Sequence, residues 1–316
     1  MKNYEDLIWK YHNKYPYLSH RQLAKIILER EKLSYQFDTF RKIIARIRNV
    51  APSQDFEKNT EVLEIPESLY EEENNYIIDP EFSRIAILND IHIPFHDKNA
   101  LHTAIEYVVN FDPDLIILNG DILDCYSISR YSRNPNLKDY NQEIQIGLKF
   151  LEFLRSKFPT PQIVYKFGNH EERLQFYIWN RAEELNNIEE IRLEYLLKFH
   201  KFGISTVTAT QIIEGTHFFV AHGHEIYASA GMVNIARNMR LKAFENVIVG
   251  HFHRTQEDIW TTISGKPIGG WTVGCLCGLR PAYRPISFWN HGFATVEVYN
   301  DTFSVQNKKI IGDKVK

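Results

Sequence analysis

Residues 84–92 read RIAILNDIH, and the fold follows from how that stretch is divided. Apart from Arg84 its first five residues are apolar, as expected of a strand buried on both faces rather than wetted on one. Polar Asn89-Asp90-Ile91-His92 follows at once, so the chain leaves the core carrying a carboxylate and an imidazole. The same grammar recurs four times. Strands predicted at 115–118, 163–167, 217–221 and 247–249 end in Asn119-Gly120-Asp121, Gly168-Asn169-His170-Glu171, His222-Gly223-His224 and Gly250-His251-Phe252-His253. Amphipathic segments near 98–110, 139–157, 171–201 and 229–243 separate them, and further strands are expected near 292–299 and 302–311. Alternating strand and helix predicts an α/β domain with layered sheet and helix. In such a sheet the carboxyl ends of the strands open onto the ligand crevice, so these five polar blocks should converge.

The converging residues form a ligand set for two divalent cations. Asp90 and His92, like His251 and His253, stand at alternate positions and project to one side of an extended segment. Asp121 offers two oxygens and is the natural bridge between two ions. Imidazole, carboxylate and amide oxygen donors together suit Mn, Fe or Zn better than Ca or Mg without choosing among the three; two divalent ions are expected, Mn first, with Fe or Zn as the alternatives.

These five blocks, in this order, resemble the calcineurin-like metallophosphoesterase superfamily over roughly residues 84–255. The resemblance implies a metallophosphoesterase-type layered β-sheet and helix domain in which Asp90, His92 and His253 hold the first metal and Asp121 bridges. It places Asn169, His222 and His251 on the second metal, with Asn169 also near the substrate phosphate. His224 is read as a partner behind the ligands rather than a ligand. His170 falls where the family places a histidine that stabilises the transition state or protonates the leaving oxygen. Gly120-Asp121-Ile122-Leu123-Asp124 resembles the phosphoprotein-phosphatase form of its block, which pairs Asp124 with His170. Cys125-Tyr126 follows where those phosphatases have Arg-Gly, a departure that weakens the case for a phosphoprotein substrate. The implied chemistry is attack on phosphorus by a hydroxide bridging two metals.

Composition bounds the rest. The chain has 316 residues, 44% hydrophobic and 24% charged. It is long enough for a sizeable core and has no apolar run of the ~20 residues a membrane helix needs. Glu5 and Asp6 precede any apolar stretch, so the start does not read as a signal peptide and a cytoplasmic location is expected. Cys125, Cys275 and Cys277 lack the spacing of a structural zinc site and read as plain thiols. A net charge of −3 hides an uneven distribution. Residues 1–50 carry 11 Lys and Arg against 5 Asp and Glu, residues 51–80 carry 1 against 9, and the remainder 25 against 26.

Three domains are therefore expected. Residues 1–50 read as three short helices, with Ser19 capping the second and the third beginning near Ser34. Phe37, Phe40, Ile44 and Ile47 form an inward stripe. Tyr35, Gln36, Thr39, Lys42, Arg46 and Arg48 face outward, a pattern that resembles a helix-turn-helix module in which Lys42, Arg46 and Arg48 would contact DNA. A helical docking or oligomerisation module fits the same pattern. Residues 51–80, with Pro52, Pro66, Pro80 and Glu71-Glu72-Glu73, read as an acidic linker. Residues 81–316 form the metallophosphoesterase domain.

Two loops mix arginine with tyrosine, the composition that suits phosphate contacts and base stacking. They contain Arg130 and Arg133 after the second strand, and Arg280, Tyr283 and Arg284 near the C-terminus; Arg237 and Arg240 are weaker candidates. With the basic N-terminal segment they predict phosphodiester hydrolysis in DNA or another nucleic acid. The metal blocks also resemble those of DNA-repair exonucleases, although the basic segment here is N-terminal and no coiled-coil arm accompanies it. Two other readings stay open: a small-molecule phosphatase or nucleotide pyrophosphatase whose N-terminal module serves assembly, and a DNA-binding structural or regulatory protein with an inactive site.

Overall fold

The computed structural model describes residues 4–49, 65–131, 134–137, 139–226, 233–300 and 302–316. Two compact units divide the chain, the first running to Tyr70 and the second from Glu71.

The first unit contains α1 (Glu5–Lys14), α2 (His20–Arg30) and α3 (Phe37–Asn49). Ile8, Tyr11, Leu23, Ala24, Ile27, Phe40 and Ile44 form its core, one apolar stripe from each helix. Ser19 caps α2 through a capping box with Gln22. The third helix begins at Phe37, later than the sequence predicts. Leu33 folds back to donate to Leu28 O at 3.1 Å, which leaves Ser34 in the turn, and Phe40 N then makes a helical bond to Gln36 O. Tyr35 is exposed, as expected, and also packs edge-on against Tyr4 and tilted on Phe40, with ring centroids 6.0 and 5.6 Å away.

In the second unit the strands are β1 (Tyr76–Ile77), β2 (Arg84–Leu88), β3 (Leu115–Asn119), β4 (Gln162–Lys166), β5 (Ile204–Val207), β6 (Ile213–Gly215), β7 (Phe218–Ala221) and β8 (Val247–Val249). They continue with β9 (Gln256–Thr261), β10 (Pro267–Thr272), β11 (Gly292–Tyr299), β12 (Thr302–Ile311) and β13 (Lys314–Val315). The helices are α4 (Lys98–Phe111), α5 (Tyr140–Lys157), α6 (Glu172–Arg181), α7 (Leu193–Leu196), α8 (Phe199–Phe202) and α9 (Ile235–Ala243). Asp97, Asp139 and Asn234 cap α4, α5 and α9 with side-chain oxygens.

One sheet has the order β13-β12-β11-β2-β3-β4-β5 and the other β1-β6-β7-β8-β10-β9. Strand alternation explains the layering. Ile85, Ile87, Leu115, Ile117 and Val164 meet Val220, Ile248 and Trp271 between the sheets. Ala86, Leu88, Ile116 and Leu118 turn the other way onto Ala104, Ile105, Leu151 and Leu154 of α4 and α5. On the outside of the second sheet, Ala221, Val247 and Val249 pack against Ile235 and Met239 of α9. Apolar on both faces, β2 and β3 are therefore continuous runs. β2, β3, β4 and β5 are parallel neighbours, as are β7 and β8, so their carboxyl ends share an edge.

Two regions depart from the sequence reading. The helix expected over 171–201 breaks after Arg181, where Asn186 accepts from Gln175 Nε2 and Trp179 Nε1 and stabilises a turn. The β9–β10 hairpin is not among the strands the sequence predicts. Gly270 is in fact a strand residue on which α9 rests: a Cβ there would lie 2.3 Å from Ala236 O. Of the helix expected over 229–243, residues 229–232 lie outside the described residues, as do 50–64 of the basic segment and acidic linker, Pro52 among them.

Candidate metal centre

All five strand exits meet. Asp90, His92, Asp121, His251 and His253 each adopt the left-handed conformation, with φ between 52° and 63°. Asp and His tolerate that region better than most residues, and each such bend costs about 1–3 kcal/mol, so five together mark a built site. The bends turn the side chains inward from the sheet edge.

Three ring nitrogens converge on one oxygen. Asp121 Oδ2 stands 3.2 Å from His222 Nε2, 3.7 Å from His170 Nε2 and 3.8 Å from His92 Nε2. On one side, Asp90 Oδ1 meets His253 Nε2 at 2.9 Å, and His253 Nε2 faces His92 Nε2 at 3.2 Å. On the other, Asp121, His222 and His251 present ligand atoms within 4.8 Å of one another. Asn169 Oδ1 is buried and has no hydrogen-bond partner among the described residues.

The donor set fits two cations. His222 Nδ1 donates to Asn119 O at 2.8 Å, which leaves the Nε2 lone pair facing the Asp121 carboxylate. Two acceptors face to face require a proton or a metal between them. Burial alone would lower the pKa of His222, but the Asp121 carboxylate outweighs it and pushes it up to about 10. His253 likewise rises to about 9 against its burial, through Asp90. Both imidazoles therefore face a carboxylate with a nitrogen suited to a cation. For His251, burial followed by the charge of His222 outweighs the carboxylates of Asp121 and Asp90 and brings it down to about 4.

His170 is fixed at both nitrogens. Its Nδ1 donates to Asp124 O at 2.8 Å, while Nε2 accepts from Arg173 at 2.7 Å. The Asp124 carboxylate lies nearer His92 Nδ1, at 3.1 Å, than His170 Nδ1, at 3.7 Å. Asp124 thus reaches His170 mainly through its backbone. Burial holds His170 down to about 3, so the ring is neutral as arranged. His224 pairs with Glu172 at 3.2 Å and Glu225 at 3.4 Å, its ring 5.4 Å from that of His222.

Several residues escaped the sequence reading. Glu171, buried, accepts from the backbone N–H groups of Asp121, Ile122, Leu123 and Gly168 and from the Tyr165 hydroxyl, binding the exits of β3 and β4 together. Gly168 is glycine because a Cβ would lie 2.4 Å from Asp121 Oδ1. Buried Lys166 pairs with Glu225 at 2.7 Å, and Glu225 in turn accepts from His222 N and Gly223 N. Cys277, read as a plain thiol, lies 3.8 Å from His253 Nδ1. Trp289 packs on His253 with centroids 4.2 Å apart. Their signal was weak because each acts on a ligand's backbone or far side.

The proposed substrate contacts are placed unevenly. Arg130, Arg280, Tyr283 and Arg284 are exposed; Arg130 lies over Tyr131 and Arg284 over Trp289. Arg133 lies outside the described residues. Arg240 is buried against Asp258 at 2.7 Å and holds α9 on β9, whereas Arg237 stays exposed. In the N-terminal unit Lys42 and Arg46 are exposed, but Arg48 donates to Leu18 O and Pro16 O and ties the end of α3 to the α1–α2 turn.

A chain whose strand ends deliver this donor set belongs to the calcineurin-like phosphoesterase family, whose sequence model matches residues 83–270. It is a metal-dependent hydrolase of phosphoester bonds. The Gene 54 proteins of Mycobacterium phages L5 and D29 are each 27% identical to it over 245 residues, covering 73% of this chain and 95% of theirs. Among solved structures, Vacuolar Protein Sorting 29 of Cryptosporidium parvum (12% identity, TM-score 0.41) and Vps29 of Chaetomium thermophilum (10%, 0.40) each cover 74% of this chain and 95% of their own. No helix among the described residues is long and apolar enough to cross a membrane.

Proposed function

We propose that the chain is a manganese-dependent phosphodiesterase acting on nucleic acid. One observation carries the choice of substrate: the aromatic and cationic rim beside the metal ligands. Trp289 lies on His253 and carries Arg284 on its ring at 5.4 Å, while Phe95 and Tyr126 pack edge-to-face with centroids 5.2 Å apart. Rings stack on unpaired bases and arginines neutralise the backbone, a pairing a small phosphomonoester does not require.

In this reading Asp90, His92 and His253 hold one ion, Asn169, His222 and His251 the other, and Asp121 both. When bound, the ions supply the activated water and neutralise phosphoryl charge. The protein's part is positional. Glu171 and the Lys166–Glu225 pair fix the loops, and His170 presents Nε2 toward the phosphoryl group, where it would accept the proton released by the attacking water and return it to the leaving oxygen. Lys42 and Arg46 of the helix-turn-helix-like module add sequence-independent attraction to phosphates.

A panel of single-stranded DNA, duplex DNA, RNA and mononucleotides, incubated with Mn²⁺-loaded protein and an Asp121→Asn control, tests the proposal. Cleavage of a polymer by wild type alone is expected. Turnover confined to mononucleotides would favour the small-molecule phosphatase.

A further inference from the structure

Next to the metal centre stands a cation that belongs to none of the five strand-end blocks. Arg173 occupies the first turn of α6, directly beyond His170-Glu171-Glu172. Its NH1 donates to Asp124 O at 2.7 Å and lies 3.5 Å from Asp124 Oδ1, and its NH2 donates to His170 Nε2 at 2.7 Å. The side chain is 16% exposed, so the guanidinium is largely withdrawn from water.

Guanidinium has five N–H protons in a planar fork. Asp124 O and His170 Nε2 take two at 2.7 Å, Asp124 Oδ1 accepts a longer bond at 3.5 Å, and among the described residues Asp124 is the one carboxylate within ion-pair distance. An imidazole is a poor counterpart for a buried guanidinium. The fork matches two oxygens of a carboxylate or phosphate far better, and such pairs are strongest where water is scarce. Geometry fixes which anion. Arg173 NH2 touches His170 Nε2, itself 3.7 Å from Asp121 Oδ2, the oxygen on which the two ligand sets converge. A phosphoryl group lying over the metal centre therefore comes within reach of Arg173.

We propose that Arg173 binds a non-bridging oxygen of the scissile phosphoryl group, anchored for this by the Asp124 carbonyl, with His170 Nε2 holding the position until the anion displaces it. This rests on the phosphoesterase reading and adds a phosphate contact outside the metal ligands. It also frees His170 Nε2 when substrate is present, coupling phosphate capture to the availability of the ring.

The test uses the full-length Mn²⁺-loaded protein, with inorganic phosphate as a competitive inhibitor of bis(p-nitrophenyl) phosphate hydrolysis. For Arg173→Gln, the phosphate inhibition constant is expected to rise about tenfold or more and kcat to fall about 10²-fold, the loss typical of one preorganised donor. Metal content by atomic emission should match wild type. Free guanidinium should restore part of the activity of Arg173→Ala, and Arg173→Lys should recover phosphate affinity more than kcat. An unchanged phosphate inhibition constant in Arg173→Gln would overturn the proposal. So would loss of metal without guanidinium rescue, which is the signature of a scaffolding role. Wild-type protein that neither hydrolyses the diester nor responds to phosphate would overturn it through the parent reading, an outcome visible before any variant is made.

Discussion

Asp121 is the residue on which the site turns, because one of its oxygens faces three imidazoles while the other accepts from His170 N at 2.9 Å. Asp121→Asn keeps the shape and removes the charge. Hydrolysis is expected to fall by at least about 10³-fold, with metal stoichiometry reduced and circular dichroism unchanged. His170→Ala should behave differently, retaining both ions by atomic emission while kcat for a diester falls about 10²-fold. A third residue reports on pH. Burial, then the nearby Asp124 carboxylate, raise Glu143 from 4.5 up to about 8. A carboxyl with a raised folded pKa binds its proton more tightly in the folded state, so its contribution to stability is complete below about pH 4.5 and is lost as pH rises through about 8. Replacing Glu143 by Gln removes the titration but keeps a single acceptor oxygen, so one of the two N–H groups that donate to Glu143, Cys125 N or Tyr126 N, loses its partner and Tm is lower at every pH. Thermal melts should then show a smaller loss of Tm between pH 5 and 8 than wild type; an equal loss would assign the dependence to other groups.

At the level of elements, the strands and their exits were legible and the hairpin was not, for one physical reason. β2, β3 and β8 are buried on both faces and leave uninterrupted apolar runs. β9 is an edge strand with Ile259 and Trp260 exposed, and β10, though buried from Gly269 to Thr272, has glycine where α9 presses on it, so neither shows an apolar run in the sequence. The ligands were readable because strand ends concentrate them. Glu171, Lys166 and Arg173 were not, because what they hold is backbone or another side chain brought close only by folding. Arg48 is the converse case, a surface cation by pattern that instead closes the helical unit. Arg48→Ala is expected to destabilise that unit by about 0.5–1.5 kcal/mol through the loss of two hydrogen bonds, one of them part-buried. Ile44→Ala should cost about 2–5 kcal/mol through its fully buried position.

For the whole molecule, charge and architecture separate along the same line. The basic N-terminal helices have a core made wholly of their own residues, and the sheets have theirs. Removing residues 1–50 should therefore leave hydrolysis of a small chromogenic ester within about twofold, while DNA affinity falls and its salt dependence becomes shallower. Equal affinity without those residues would assign them to assembly instead. The central claim is that the converged strand ends make a metal-dependent diesterase. Its most direct test compares bis(p-nitrophenyl) phosphate with p-nitrophenyl phosphate, each with Mn²⁺-loaded wild type, metal-stripped protein and Asp121→Asn. The expected result is Mn²⁺-dependent turnover by wild type alone, with the diester favoured; preference for the monoester, or no turnover with Mn²⁺, Fe²⁺ or Zn²⁺, would contradict it.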